Sequence, residues 1–237
     1  MKFNILFIIV LITLMSGCKS TSSNHIPKGM NSEKPYDLRV QTYQQKKCCV
    51  DLKSIVPLQT KKTITATMEE SEKLIQIGNV NSPYLLIEIE NNPDVHFYSI
   101  KSYYLEHKFT FVPMVSVLDS NFNVISQTSS DYISYQHQTL VYDDSHFWMY
   151  FSVDTKRKTN AKYLLVHTAR EFGSKFQVDI GSKTNMQTTM IGNQPVSYAE
   201  TSNAFTVKTL VSPSGVLQID KLDAWSKPIN DYLIQPL

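Results

Sequence analysis

Apolar positions in this chain recur at every second residue far more than at the 3.6 spacing of a helix. Residues 63–67 (TITAT) alternate strictly. Residues 146–153 (HFWMYFSV) put Phe147, Met149, Phe151 and Val153 on one side and His146, Trp148, Tyr150 and Ser152 on the other. A period of two marks a strand, because successive side chains leave opposite faces of the backbone. Segments 84–90, 95–105, 109–118, 162–168 and 175–180 are likewise rich in β-branched and aromatic residues, and 204–211 and 215–219 add weaker strands. Turn residues such as Asn91-Asn92-Pro93-Asp94 separate them. Segment 109–118 is apolar on both faces and predicts a central strand, yet Pro113 has no N–H for the ladder, so a bulge or an exposed edge is expected there. Only 68–73 and 169–172 favour a helical turn. The prediction is all-β: a single antiparallel β-sandwich domain over 37–237, with an open barrel as the second choice.

One apolar run breaks this pattern. Residues 3–14 form an apolar run, broken only by Asn4 and Thr13, behind Lys2 and are followed by Met15-Ser16-Gly17 and then Cys18. The run is shorter than the roughly 20 residues that cross a bilayer as a helix, and the order of charge, apolar run and small residues is that of a secretory leader. A cysteine directly after Ser-Gly is the pattern of a bacterial lipoprotein signal, so 1–17 is expected to be a signal peptide and Cys18 the lipidated first residue. One acyl chain holds a bilayer only weakly, at about 10⁴ M⁻¹, whereas several make attachment effectively permanent. Residue 19 is Lys rather than Asp, which in a Gram-negative cell favours the periplasmic side of the outer membrane. Residues 18–36 hold Ser, Thr, Asn, Lys and Pro and read as a solvated tether.

Charge narrows the partners. The formal net charge is +2, and it falls to +1 when Lys2 leaves with the leader. So balanced a chain is a poor match for nucleic acid. Lys156-Arg157-Lys158 reads as a hairpin tip between two strands. Besides Cys18, only the adjacent Cys48 and Cys49 remain. A vicinal disulfide, two free or buried thiols, and an intermolecular bond are all open to them; a CxxC metal or redox site is not.

Catalytic motifs are missing. The glycines at 17, 29, 78, 173, 181, 192 and 215 are too dispersed for a phosphate-cradling loop or a G-x-S-x-G elbow. No histidine is followed by Glu, which removes the zinc-protease pattern. Asp119-x-Asn121-x-Asn123 begins like a calcium loop, but Val124 and Ser130 stand where Gly and Glu are needed, so a side-chain-capped turn is expected. The acidic pairs Glu69-Glu70 and Asp143-Asp144 read as solvated loop charges. No catalytic residue, metal ligand or cofactor is therefore expected. The remaining lead is aromatic. Sugars stack their C–H faces on Trp and Tyr beside polar groups, which makes Trp148, Tyr150, Tyr132 and Tyr135 the candidate sugar-stacking residues. Their alternative role is packing beneath loops.

The stretch Phe111-x-Pro113-x-Val115-x-Val117-Leu118-Asp119-x-Asn121-Phe122, with Ser130-x-Tyr132 and Tyr135 after it, resembles the maltose operon periplasmic protein (MalM) family. Cys48-Cys49, residues 162–168 (KYLLVHT) and residues 195–207 fit the same pattern. The resemblance implies a soluble or lipid-anchored periplasmic protein associated with maltose and maltodextrin uptake, and it brings no catalytic or binding residue with it. Two readings follow: a non-enzymatic accessory factor in carbohydrate transport with a maltodextrin ligand, or a structural lipoprotein that docks an envelope protein through an apolar patch or open sheet edge near Pro113 or the tail. The tail 220–237 is too apolar for a free end and is expected to pack back on the domain.

Overall fold

The computed structural model describes residues 36–68, 73–104, 108–137, 145–180, 183–191, 194–202, 204–223 and 235–236. The leader, Cys18, nearly all of the tether and both acidic pairs lie outside them. The first described element is helix α1 (Tyr36–Gln44). It carries no apolar stripe, which is why periodicity does not reveal it. Instead it is tied down singly: Arg39 is buried and donates to the Ser214 hydroxyl at 3.4 Å, and the Tyr43 ring meets Phe172 edge-on at 4.5 Å.

Strands follow in the order β1 (Lys47–Cys48), β2 (Leu58–Gln59), β3 (Thr63–Thr67), β4 (Lys73–Ile77), β5 (Val80–Ser82), β6 (Leu85–Glu88), β7 (Val95–Tyr103), β8 (Phe109–Thr110), β9 (Met114–Leu118) and β10 (Val124–Gln127). Then come β11 (Ser134–Gln136), β12 (His146–Asp154), β13 (Tyr163–His167), β14 (Lys175–Ile180), β15 (Lys183–Ile191), β16 (Gln194–Ser202), β17 (Phe205–Val211), β18 (Val216–Leu222) and β19 (Gln235–Pro236). The β-rich expectation holds, but the simple sandwich does not describe the whole. The described residues form five sheets rather than two: β19-β10-β9-β13-β6-β2, β11-β12-β7-β18-β3, β1-β4-β5, β14-β17-β8 and the hairpin β15-β16. Three short pairs, β1 with β4, β2 with β6 and β17 with β8, are parallel. Brief two-residue strands can pair in either direction because the chain reaches them through loops and not through tight hairpins.

The two large sheets share one core. Phe147, Met149, Phe151 and Val153 from β12 join Tyr98, Ile100, Leu217 and Ile219 on one side, and Val115, Val117, Leu164, Val166 and Ile87 on the other. Burial of each such side chain contributes roughly 1.5–3 kcal/mol, so the alternation seen in 146–153 fixes which face turns inward. A second cluster lies on the other side of β13 and β9, where Leu165, Leu118, Tyr163, Leu86 and Ile75 pack beneath Val50, Leu52 and Ile55. This third layer makes β13 buried along its whole length. It also explains why segments 109–118 and 162–168 are apolar on both faces.

Pro113 breaks segment 109–118 into β8 and β9, and the break is buried rather than an exposed edge. β8 leaves to pair with β17, so the ladder that Pro113 could not join ends before it. The helical turn expected at 169–172 is bend and turn; of 68–73 only Met68 and Lys73 are described, and Lys73 opens β4. Asp119 forms the expected turn: Oδ1 accepts from the backbone N–H of Asn121 (2.8 Å) and Asn123 (2.9 Å), and Phe122 takes a φ of 65° to complete it. Residues 156–158 sit at the tip between β12 and β13, where Asp154 accepts from the N–H groups of Lys156 and Arg157. The tail returns as expected, since β19 adds to β10 through Gln235 and Pro236.

Two stability predictions follow from close contacts. Gly215 passes so near the fully buried Phe111 that an added Cβ would lie 2.7 Å from its Cβ. Gly215→Ala should therefore destabilise the fold by about 1–3 kcal/mol, read from urea unfolding; an unchanged midpoint refutes the contact. His167 is fully buried, and its Nε2 shares a 2.8 Å hydrogen bond with the Ser116 hydroxyl. Burial pushes its pKa from 6.5 down to about 4. The native ring is thus neutral where the unfolded ring takes a proton, so its contribution is complete above pH 6.5 and is lost as pH falls towards 4. The loss should reach about 3 kcal/mol, and His167→Gln should flatten that part of the stability–pH curve.

Candidate functional site

The same alternation that sends Phe147 and Met149 inward sends Trp148 and Tyr150 to the outer face of the sheet β11-β12-β7-β18-β3. Both are half-buried, and their rings meet edge-to-face with centroids 4.8 Å apart. Register places a polar surface beside them. Trp148 stands opposite Lys101 on β7 and Ser134 on β11, and Tyr150 stands opposite Ser99. One strand further, Gln218 is opposite Lys101 and Asp220 is opposite Ser99; beyond these lie Thr65 and Thr63 on β3. All share a face because paired residues on neighbouring strands point the same way.

Hydrogen bonds hold these polar groups in fixed orientations. The Gln218 amide donates to both carboxylate oxygens of Asp220, at 3.1 and 2.9 Å. Its carbonyl oxygen accepts from the Tyr103 hydroxyl at 3.1 Å, and the Thr63 hydroxyl donates to Asp220 at 2.8 Å. Asp220 and Gln218 are only partly buried, so acceptor capacity still faces water. Chemically, the face offers an aromatic step flanked by oriented acceptors and the cationic Lys101. That combination can stack an apolar ring face and hydrogen-bond to hydroxyl groups beside it.

The four sequence-chosen aromatics do not converge. Tyr135 pairs directly with Phe147 on the inward side, its ring 5.1 Å from Phe147 and 6.2 Å from Tyr104. It belongs to the packing against the core, because parity on β11 places Ser134, not Tyr135, beside Trp148. Tyr132 closes a short 3-10 turn, Ser130–Tyr132, capped by the Ser129 hydroxyl, and is half-buried. Cys48 ends β1 and Cys49 follows it; both are exposed, are joined to each other as a disulfide, and lie beside Gln76, whose Oε1 is 3.5 Å from Cys49 Sγ. They are not on the aromatic face. Cys18 lies outside the described residues.

Sequence reading missed Lys101, Gln218 and Asp220. Lys101 and Gln218 are legible as the polar parity of strands 95–105 and 215–219, whereas Asp220 falls one residue beyond the second; the meeting of all three depends on strand order, which local pattern does not encode.

Among curated proteins, none matches the chain. The family described as maltose operon periplasmic protein precursor (MalM) matches residues 79–208. That stretch runs from β5 into β17 and includes Trp148 and Tyr150, while Cys48-Cys49, Gln218 and Asp220 fall outside it. The match covers more than half of the chain, which therefore belongs to the maltose operon periplasmic protein (MalM) family and is a periplasmic protein.

Proposed function

We propose that the chain is a non-enzymatic accessory factor in maltose and maltodextrin uptake that binds the glucan on the outer face carrying Trp148 and Tyr150. The observation that carries this reading is the edge-to-face Trp148–Tyr150 pair beside the oriented Gln218–Asp220 acceptors. A glucose ring laid on Trp148 covers an apolar face with its C–H groups, and its hydroxyls reach Lys101 and Gln218. The two facing sheets then act as the sandwich that keeps the platform rigid, and family membership supplies the sugar class. In the same reading, three acyl groups on Cys18 anchor the domain to the periplasmic side of the outer membrane, and the tether holds the platform clear of the lipid.

Two measurements test this. Titration of a maltodextrin series, followed by calorimetry and tryptophan fluorescence, should give saturable binding that Trp148→Ala weakens about tenfold, or about 1.4 kcal/mol. Tyr135→Ala should instead lower thermal stability and leave affinity in place. No binding at any chain length, or a Trp148→Ala variant that binds as the parent does, refutes the sugar platform. Intact-mass spectrometry of the envelope-extracted protein should find Cys18 as the acylated N-terminal residue. A retained leader or an unmodified Cys18 refutes the anchor and leaves the sugar reading standing.

A further inference from the structure

The sheet that carries the aromatic platform ends at β3, and among the described residues nothing pairs with the outer edge of that strand. Its inner edge is fully engaged. Met68 N–H donates to Gly215, and Lys221 N–H donates to Lys62, which fixes 62, 64, 66 and 68 as the residues whose backbone groups face β18. The N–H and C=O of Thr63, Thr65 and Thr67 therefore point out of the sheet. This edge forms one wall of an open cleft of about 890 Å³, whose other wall includes Val56, Leu58, Tyr84 and Leu85. Val56 is 88 % exposed and Leu58 44 % exposed, the two most solvent-facing apolar side chains along the cleft. An unpaired edge beside bare apolar residues is what a partner strand would cover.

We propose that the occupant is a second copy of this chain, joined β3 to β3 about a two-fold axis at Thr65. Three features select it over an unrelated strand. The sequence TITAT has nearly the same pattern read in either direction. Antiparallel self-pairing centred on Thr65 sets Thr63 against the other copy's Thr67 and Ile64 against its Ala66, so Thr stays with Thr on the outer face and apolar stays with apolar on the inner one. The outward-pointing residues are also the right ones: Thr63, Thr65 and Thr67 would each meet a residue of the same kind in a doubly hydrogen-bonded pair. Finally, Lys61-Lys62 precede the strand in the sequence and Glu69-Glu70 follow it, so an antiparallel copy brings opposite charges to each end. The interface is isologous and closes on itself, leaving no further free edge at β3. It turns the two sheets into one of ten strands and brings both clefts, with Val56 and Leu58, against each other. Both Trp148–Tyr150 pairs then face the same side.

Crosslinking through an introduced cysteine, in the full chain and in the cell envelope, tests both the contact and its register. Across the two-fold, the Thr65 Cα atoms lie about 5.5 Å apart, within disulfide range. Thr65→Cys should give a reducible species of doubled mass, well above any background from the unaltered chain. Thr63→Cys should not, since the two copies of residue 63 are about 14 Å apart. Coexpressing Thr63→Cys with Thr67→Cys should restore the crosslink. Circular dichroism confirms that each variant is folded. Absence of the Thr65→Cys dimer from a folded variant overturns the proposal, as does equal crosslinking at residues 63 and 65. Neither result bears on glucan binding.

Discussion

Everything else in this protein depends on the apolar contact between the facing sides of its two large sheets. Phe147, Met149, Phe151 and Val153 come from one sheet and Val115, Val117, Leu164 and Val166 from the other, and all are buried to within a few per cent. A side-chain period of two leaves no freedom once that contact forms. A slip of one residue along β12 would bring Trp148 and Tyr150 inward and expose four large apolar side chains, at roughly 1.5–3 kcal/mol each. The core therefore sets the composition of the outer face, although none of its members touches that face.

The third layer extends the same logic. β13 and β9 are covered on both sides, and a strand buried twice needs apolar residues at both parities. That demand is met by Leu164 and Val166 on one side and Leu165 and Tyr163 on the other. The polar exceptions, His167 and Ser116, are bonded to one another, which limits the cost of placing them there. Arg39 and Ser214 do the same for helix α1. Polar groups in this protein are thus used at isolated points, to fix elements that apolar periodicity leaves undefined.

The outer face is built differently. Its polar members come from β7, β18 and β3; β18 lies more than a hundred residues along the chain from either of the others, and they meet only because it inserts between β7 and β3. Asp220 and Gln218 are oriented by Tyr103 and Thr63 from the strands on either side. A ligand platform on a sheet gains its precision from such cross-strand bonds, since neighbouring rungs are held at fixed spacing by the ladder itself.

Local alternation by itself determined that the chain is a β protein, which residues of 146–153 turn inward, that Asp119 starts a turn, and that residues 156–158 form a hairpin tip. Each of these depends on neighbours a few residues apart, and steric and solvent preferences act at that range. The family pattern was also legible, because Phe111, Pro113 and the Leu118-Asp119 turn occur in one continuous stretch. Only the tertiary structure decided that the described residues form five sheets rather than two, that Pro113 is a buried break, that Tyr135 packs inward while Trp148 does not, and that Asp220 lies two strands from Tyr150. Those outcomes depend on which strands become neighbours, a choice made by the burial of distant surfaces against one another, and no window of sequence contains both partners.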